Sequence, residues 1–256
     1  MKNQPPNKEK EKDKVQEHFL RYEFKYILND EKRKNIEHEL SHFMQLDPFV
    51  ESCQNKKYLV RSLYFDDPVY SFYYEKTDGL MHRQKFRVRT YSTEYHEKIP
   101  MMLELKGRYN NFVYKHRTVI AHNAEVIHDI FALLKPLEND KNLVAQQFTY
   151  DKYRKRIKPI MLIDYQRRAF QSKYDYEFRI TFDGELYGTQ TNQLFPSDTL
   201  YRRKLIDGYT IMEVKFRKHV PPWFHRIMIK YQLNRLSISK YCTGMESTTL
   251  IKNLDD

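Results

Sequence analysis

Charged and apolar residues alternate in several short stretches of this chain. The first stretch runs from residue 21 to residue 26 and reads Arg-Tyr-Glu-Phe-Lys-Tyr. In a β-strand, side chains two positions apart share a face. The stretch therefore predicts a strand with Glu23 and Lys25 on one face and aromatic residues on the other.

The same alternation returns five more times along the sequence. Its polar members are Lys85, Arg87 and Arg89; Glu104 and Lys106; Tyr165 and Arg167; Glu177, Arg179, Thr181 and Asp183; and Glu213, Lys215 and Arg217. Two further stretches are strand-like, and in the second of them Lys115 and Arg117 share one parity. The eight predicted strands are 19–28, 59–66, 83–89, 101–106, 112–120, 160–170, 176–183 and 209–217.

Apolar residues at helical spacing predict helices between and after these strands. Asn29 can cap the first helix, and Pro222 stands where the last one begins. The predicted helical segments are 30–44, 69–76, 123–134, 138–156 and 222–233, and the predicted turns and loops include 107–111 and 184–200. The fold class that follows is α+β, built on a mainly antiparallel sheet.

The ionic strand faces have two interpretations. An antiparallel sheet commonly has one solvated face, on which Glu and Lys two apart form weak surface pairs. Solvated faces normally mix in Ser, Thr, Gln and Asn, whereas these faces are nearly all ionic and biased towards Arg and Lys. If the sheet closes on itself, the faces line a tunnel, and because like charges repel there, the ligand must be strongly anionic. A chain of phosphates fits this description, because Arg and Lys bind phosphate.

Arg61 shares its parity with Leu63 and Phe65, which argues against a place for it in such a lumen.

The composition supports an acidic partner. The 256-residue chain has 45 Lys and Arg against 34 Asp and Glu, a net charge of +11. Nucleic acid, an anionic membrane and a phosphorylated small molecule are the partner classes that this charge favours. The chain has only 6 glycines and lacks the glycine-rich phosphate loops. Phosphate binding would therefore depend on side chains.

Other sequence features limit the compartment and the domain organisation. Cys53 and Cys242 are far apart and have no CxxC partner, so a disulfide framework is not expected. We find neither a run of about 18 apolar residues nor a secretory signal, and we expect a cytoplasmic protein. Residues 1–17 are predicted to be a disordered or solvated tail, and residues 18–256 a single domain.

Eight short motifs then occur in a fixed order. They read Arg-Tyr-Glu-Phe-Lys-Tyr, Ser-Leu-Tyr-Phe-Asp, Lys-Phe-Arg-Val-Arg-Thr-Tyr, Leu-Glu-Leu-Lys, Tyr-Gln-Arg-Arg-Ala-Phe, Arg-Ile-Thr-Phe-Asp, Met-Glu-Val-Lys-Phe and Ser-Lys-Tyr. This succession, over about residues 18–242, resembles the VTC (vacuolar transporter chaperone) domain of polyphosphate polymerases. These belong to the CYTH-like triphosphate tunnel metalloenzymes. The resemblance implies a closed, antiparallel, eight-stranded β-barrel that forms a tunnel, with flanking helices.

The resemblance also implies roles for individual residues. The basic residues that match phosphate-chain ligands, taken as catalytic, are Lys25, Arg87, Arg89, Lys106, Arg167 and Lys240. Further substrate-binding candidates are Lys85, Arg117, Tyr165, Arg179, Lys215 and Ser239. Glu213 matches the glutamate that holds a divalent metal, Mn²⁺ or Mg²⁺, and Glu23 and Glu104 are secondary candidates for the same role.

The activity implied is transfer of the γ-phosphate of ATP onto a polyphosphate chain, with release of ADP. The nucleophile is an ionised phosphate oxygen, so no general base is assigned. Related hydrolases and cyclases begin with an ExExK pattern that supplies two metal-binding acids. Here the corresponding stretch keeps only Glu23, which argues against a thiamine triphosphatase or a cyclase. The chain looks like a stand-alone, bacterial form of the domain, without a regulatory SPX domain.

Three functions remain open at this point. The first is a metal-dependent polyphosphate polymerase with ATP and polyphosphate as partners. The second is a tunnel enzyme that hydrolyses inorganic or nucleoside triphosphate. The third is a non-catalytic module that binds polyphosphate or another polyanion, with specific nucleic acid as the least favoured ligand. Export of a polymer would require a membrane-protein partner.

Overall fold

The structure is a computed structural model that describes residues 22–110, 112–197 and 201–248. The tail predicted at 1–17 lies outside these residues. The strands are β1 (Tyr22–Asn29), β2 (Met44–Leu46), β3 (Tyr58–Asp66), β4 (His82–Thr90), β5 (Met102–Tyr109), β6 (Phe112–Val119), β7 (Lys158–Ser172), β8 (Arg179–Gln190), β9 (Arg203–Lys204) and β10 (Tyr209–Phe216). The helices are α1 (Asp30–Leu40), α2 (Pro48–Ser52), α3 (Ser71–Thr77), α4 (Ile130–Leu134), α5 (Leu143–Arg154), α6 (Pro222–Lys230) and α7 (Lys240–Ser247), with a 3-10 turn at Lys135–Asn139.

Eight of the strands form one antiparallel sheet in the order β1-β10-β8-β7-β3-β4-β5-β6, and β2 and β9 extend it. The predicted α+β class with a large antiparallel sheet and flanking helices is therefore confirmed. The predicted closure into a barrel is not confirmed, because no ladder within the described residues joins β1 to β6. These edge strands meet instead through side chains, with the Tyr22 and Phe112 rings 5.7 Å apart.

The outer face of the sheet is apolar and is covered by helices. One cluster packs strands β3, β4 and β5 against α4 and α5, where Phe86 and Phe148 make an edge-to-face contact at 5.4 Å. The other packs β1, β8 and β10 against α1 and α6, and Ile36 and Phe224 are fully buried in it. Because aromatic and aliphatic side chains occupy one parity on the charged strands, as Phe86 and Val88 do on β4, burial of that parity turns the charged parity inwards.

Helix α7 covers part of the inner face. Tyr241 and Met245 are buried against Met161 and Ile163 of β7. Gly244 allows this close approach, since a Cβ added there would lie 2.7 Å from Ile163 Cδ1. The inner face is thus divided into an apolar part beneath α7 and an ionic part beside it.

Several elements differ from the sequence predictions, and close packing explains one of them. Strand β5 continues into the turn predicted at 107–111 as far as Tyr109, because Gly107 leaves room for the Tyr114 ring, whose Cζ would lie 1.8 Å from an added Cβ. Strand β8 continues into the loop predicted at 184–200 as far as Gln190. A Cβ added at Gly188 would lie 3.5 Å from the α7 backbone, an ordinary van der Waals distance, whereas Gly107 marks a close contact rather than a turn.

The helices of the structure agree only in part with the predicted helical segments. Asn29 caps α1 as predicted and accepts a hydrogen bond from the Lys32 amide at 2.8 Å, but the helix ends before β2 begins. The helix predicted at 123–134 contracts to α4, and α7 was not predicted. Within the described part of the chain, no helix is both long and apolar enough to cross a bilayer.

Candidate functional site

The inner face of the sheet borders a cavity of about 900 Å³. Fifteen lysines and arginines and two glutamates of the described chain line it. Of the residues singled out from the sequence, those at the wall are Lys25, Lys85, Arg87, Arg89, Lys106, Arg117, Tyr165, Arg167, Arg179, Lys215, Ser239, Lys240, Glu23 and Glu213. One residue of that set, Glu104, is not at the wall.

Strand register brings these residues together across the sheet. Arg87 of β4 lies opposite Glu104 of β5, which lies opposite Arg117 of β6. On the other side, Lys25 of β1 lies opposite Glu213 of β10. Opposite charges on facing residues stabilise such pairs, and this alternation fixes the ionic wall in register.

A buried ionic network occupies the centre of the wall. Arg167 donates from Nε and Nη2 to the two carboxylate oxygens of Asp183, with both distances 2.6 Å, and from Nη2 to Glu213 at 3.3 Å. Lys240 Nζ lies 2.7 Å from both Asp183 and Glu213. Both cations lie over the ring of Tyr165, at 5.2 and 4.8 Å from its centroid. The network thus holds Arg167, Lys240 and Glu213 at the wall of the cavity, with Asp183 directly behind them.

A second group of charges spans the gap between the sheet edges. Glu23 of β1 accepts hydrogen bonds from Lys106 of β5 at 2.9 and 3.1 Å. Lys25 lies 3.4 Å from Glu23 and 3.8 Å from Glu213, and it donates to the Ile238 carbonyl at 2.9 Å. Ion pairs between side chains therefore connect strands that no backbone ladder joins in the described structure.

Glu104 is placed differently from its prediction as a metal ligand. Its side chain is 0% exposed and lies behind the wall. Arg87 donates to its Oε2 at 2.8 Å, Arg89 lies 3.7 Å away, and Lys115 contacts its Oε1. Because three cations enclose this carboxylate, it supports the arginines rather than facing a ligand. Arg87 also donates to the Tyr64 hydroxyl at 2.8 Å.

The remaining predicted residues are less tightly held. Lys85 donates to the Cys242 thiol at 3.2 Å, and Arg117 is exposed at the rim. Arg179 pairs with Asp47 at 2.9 Å. Ser239 caps α7 by accepting a hydrogen bond from the Cys242 amide at 3.4 Å. The Ser239 hydroxyl thus has a structural role as well as a position on the cavity wall.

A family model described as the VTC domain matches residues 20–249. The chain belongs to the VTC domain family. The match confirms the resemblance inferred from the ordered motifs.

Solved structures with a related fold include that of a "putative adenylate cyclase" from Bacillus halodurans, with a TM-score of 0.51, 11% identity, and coverage of 86% of this chain and 94% of that chain. A protein of Pyrococcus horikoshii gives a TM-score of 0.47 at 12% identity, covering 89% and 99% of the two chains. A Mimivirus capping enzyme triphosphatase gives 0.34 at 6% identity, covering 84% and 89%. At such identity, the first match shows a shared fold alone. No curated protein sequence matches the chain.

The wall of this VTC domain shifts the pKa values of its own charged groups. The positive charges of Lys240 and Lys215 hold the pKa of Glu213 well below its ordinary value, although burial alone would raise that pKa. Burial lowers the pKa of Lys215 to about 8, although Glu213 opposes the shift. Burial likewise lowers the pKa of Lys115 to about 7, despite its contact with Glu104. The carboxylates therefore stay ionised near neutral pH, whereas these two lysines titrate there.

The carboxylates provide the atoms that a divalent cation would bind. Glu23 and Glu213 both face the cavity, and Lys25 Nζ lies between them, 3.4 Å from Glu23 and 3.8 Å from Glu213. The described residues contain no group of three His, Cys, Asp or Glu side chains arranged to hold a metal. Mg²⁺ is commonly held by one or two carboxylates together with phosphate oxygens of a substrate. The donors present fit that arrangement and not an all-protein metal cage.

Other residues at the site were not assigned a role from the sequence. Those at the wall or directly behind it are Tyr64, Lys76, Arg83, Arg108, Lys115, Asp183 and Arg235. Arg83, Lys115 and Asp183 follow the parity of the predicted charged faces, so that signal was available. Arg235 lies in a segment without periodicity. Arg61 is absent from the wall, as predicted from its parity, and forms a buried pair with Asp164 at 2.8 Å.

Proposed function

We propose that this protein is a metal-dependent polyphosphate polymerase that transfers the γ-phosphate of ATP onto a polyphosphate chain and releases ADP. The excess of cations over carboxylates on the cavity wall is the observation that supports it most. Among the described residues, fifteen cationic side chains against two glutamates suit a ligand with one charge per phosphate along its length. Membership in the VTC family agrees with this proposal.

The wall residues supply what phosphoryl transfer requires. This reaction depends on positioning and charge neutralisation more than on covalent help from the protein. Arg87, Arg89 and Lys106 would bind the non-bridging oxygens on one side of the cavity. Arg167, Lys25 and Lys240 would bind those on the other. Arg87 and Arg89 are already oriented by Glu104, and Arg167 by Asp183, so their ordering cost falls before the ligand arrives.

The proposed reaction needs no protein base. The attacking atom is a terminal oxygen of the polyphosphate, which is already ionised near neutral pH. The bond from the γ-phosphorus to the bridging oxygen of ATP breaks, and ADP leaves with that oxygen. The cations around the cavity then stabilise the charge that develops on the leaving group.

A divalent cation, Mn²⁺ or Mg²⁺, completes the proposal. When bound, it would neutralise phosphate charge as a Lewis acid. Glu213 and Glu23 would hold it from the protein side. Lys240, Lys215 and Lys106 keep both carboxylates ionised, which is the form that binds metal. The cytoplasm, as a source of ATP, is the compartment that this reaction implies, and a membrane protein is the partner that export would need.

The test combines purified protein, ATP and Mn²⁺, with polyphosphate resolved on a gel and ADP and phosphate measured separately. Polymer with ADP equal to the phosphate incorporated is the expected result. ADP with free phosphate and no polymer would show a triphosphatase instead. Tight polyphosphate binding without turnover would show a binding module.

Matched acid variants sharpen the test. Glu213→Gln should abolish turnover, because the carboxylate that faces the cavity loses its charge. Glu185→Gln is the control, since Glu185 is exposed and pairs with Lys57 outside the cavity. Full activity in Glu213→Gln would refute the metal-dependent reaction.

A further inference from the structure

A lysine and a cysteine from distant parts of the chain meet beside the cavity. Lys85 is an inward residue of β4 and lines the cavity. Cys242 lies in the first turn of α7, and its side chain is buried. Lys85 Nζ donates a hydrogen bond to Cys242 Sγ at 3.2 Å, across a separation of 157 residues in the sequence. The function proposed above gives Cys242 no role.

The surroundings hold this nitrogen and this sulfur together. Lys85 Nζ also lies over the Tyr241 ring, 4.5 Å from its centroid. The Tyr241 hydroxyl donates to the buried carboxylate of Asp66, which fixes the ring. Cys242 belongs to the same buried cluster as Tyr241 and Met245. Packing of α7 against the sheet therefore sets the position of the sulfur, and the lysine reaches it from β4.

The environment of Lys85 favours its reactive form. Burial lowers the pKa of Lys85, although Cys242 and Asp66 oppose the shift. A lower pKa increases the fraction of the side chain that is a free amine near neutral pH. The free amine is the nucleophilic form of lysine, and its flexible four-carbon stem lets the nitrogen move towards the sulfur.

Oxidation would make the sulfur a target for that amine. Peroxide converts a cysteine thiolate to a sulfenic acid, which condenses with a neighbouring thiol or nitrogen. The other cysteine of the chain, Cys53, lies at the end of α2, where its thiol donates to the Phe49 carbonyl at 3.2 Å. The nucleophile in contact with the Cys242 sulfur is Lys85. Because Cys242 is only 5% exposed, a small oxidant that enters the cavity suits it better than a bulky one.

We propose that Lys85 and Cys242 form a reversible sulfenamide crosslink, a bond between Nζ and Sγ, when the protein meets hydrogen peroxide. The sulfur attacks one peroxide oxygen, the O–O bond breaks, and the sulfenic acid forms with release of water. The Lys85 amine then attacks the sulfur. The S–N bond forms, the S–O bond breaks, and the hydroxyl leaves as water with a proton from the nitrogen. The sulfur is oxidised by two electrons, and the peroxide is reduced to water.

Thiols reverse the crosslink. One thiol attacks the sulfur and releases the Lys85 amine, and a second releases the Cys242 thiol as the disulfide of the reductant forms. While the bond exists, Lys85 is neutral and the cavity has lost one cation. Formation of the bond does not depend on the proposed function, whereas its effect on phosphate binding does. The oxidised protein should bind tripolyphosphate about tenfold more weakly, because one charged donor is lost.

The experiment treats the purified protein with hydrogen peroxide and maps the product by tryptic mass spectrometry. The expected product joins the peptides of Lys85 and Cys242, lacks two hydrogens relative to their sum, resists cleavage after Lys85 and disappears with dithiothreitol. Cys53→Ser should give the same product, since it keeps both partners, and Cys242→Ser should not. Peroxide-treated wild type that contains Cys242 only as free thiol, sulfinic acid or a disulfide would overturn the proposal.

Lys85→Arg separates the oxidation step from the trapping step. Arginine stays protonated and cannot trap the sulfenic acid, so dimedone should label Cys242 in this variant more than in the wild type. Equal labelling of the two proteins would refute the role of the lysine.

A binding measurement tests the consequence for the cavity. Peroxide should weaken tripolyphosphate binding to the wild type, and dithiothreitol should restore it. Cys242→Ser, or Cys242→Ala if the serine variant melts lower, should keep its affinity within about twofold after peroxide. A mapped crosslink without loss of affinity would overturn the proposed control of binding. Absence of tripolyphosphate binding to the reduced wild type would instead count against the central site, and the mapping would still decide the crosslink.

Discussion

Arg167 and Asp183 lie directly opposite each other on β7 and β8 and form a two-pronged ion pair with both N–O distances at 2.6 Å. Both side chains are buried, and Lys240 contacts the same carboxylate at 2.7 Å. Asp183 thus neutralises two cations at once. Glu213 contacts the same two cations, so the ionic centre of the sheet contains two carboxylates that share Arg167 and Lys240.

Asp183→Asn should therefore destabilise the fold. Removing one partner of a buried ion pair costs about 3–5 kcal/mol because it leaves uncompensated charge. The free energy of unfolding in urea, measured without phosphate, should fall by about 3 kcal/mol, the low end, since the cavity admits water. Tripolyphosphate should raise the melting temperature of the variant more than that of the wild type, since an anion replaces the lost charge.

Asp207→Asn is the control for this change. Asp207 pairs with Lys204 on the surface and is 74% exposed, so its removal should alter stability by less than about 1 kcal/mol. Equal effects of the two substitutions would show that Asp183 has no special structural role.

Arg87→Ala should weaken the binding of tripolyphosphate and of ATP. Each hydrogen bond from a charged donor contributes about 1.5–3 kcal/mol, so the dissociation constant should rise by about tenfold or more. Arg167→Ala should have a comparable effect. Arg154→Ala, on the exposed surface of α5, is the comparison. Wild-type affinity in both cavity variants would be evidence against ligand binding on the inner face.

Phe86→Ala should produce the opposite pattern, although Phe86 is adjacent to Arg87 in the chain. Its ring is fully buried on the outer face, in contact with Phe148 and Phe72. Truncating a buried Phe to Ala costs about 3–5 kcal/mol. The melting temperature should drop clearly, while tripolyphosphate affinity, measured well below that temperature, should stay near the wild-type value. A selective loss of affinity with normal stability would show that the face assignment is wrong.

Ligand binding should depend on pH through the buried lysines. The pKa of Lys115 is lowered to about 7 and that of Lys215 to about 8, so both lose protons as pH rises through this range. An anionic ligand favours the protonated form, so binding should take up protons and affinity should fall between about pH 7 and 9. Calorimetry in buffers of different ionisation enthalpy measures this uptake directly.

Lys115→Arg identifies the source of that dependence. Arginine stays protonated throughout the range, so proton uptake near pH 7 should decrease in the variant. Ionisation of the phosphate ligand is the same in both measurements and cancels in the comparison. Identical proton uptake by the two proteins would assign the dependence to other groups.

Parity along the strands predicted which residues face inwards, and the structure explains why this worked. Where helices cover the apolar side chains of a strand, the alternate side chains must point to the opposite face of the sheet, as Phe86 and Arg87 do. However, strand parity does not predict whether an inward side chain reaches the cavity or is buried behind its wall. Glu104 and Lys106 share a face, yet Glu104 is enclosed by three cations whereas Lys106 reaches the cavity.

Contacts between distant segments lay beyond the sequence patterns. Helix α7 depends on Gly244 fitting against Ile163, a relationship between positions 81 residues apart. Arg235 reaches the cavity from a segment with no periodic pattern. A turn was predicted at Gly107 because the Tyr114 ring that covers this glycine belongs to the next strand, and the local sequence does not show that contact. Local propensity does not report such pairs, because register between strands decides them.

Within the described residues, no backbone ladder joins β1 to β6, so the ring of strands around the cavity is incompletely hydrogen-bonded at this place. Seven backbone ladders connect the eight strands, and each resists stretching. The remaining joint consists of side-chain contacts, such as that between Tyr22 and Phe112 and that between Glu23 and Lys106. These side-chain contacts are easier to separate than the backbone ladders. A bulkier occupant should therefore separate the strands at this joint first, because no ladder of the described residues has to break there.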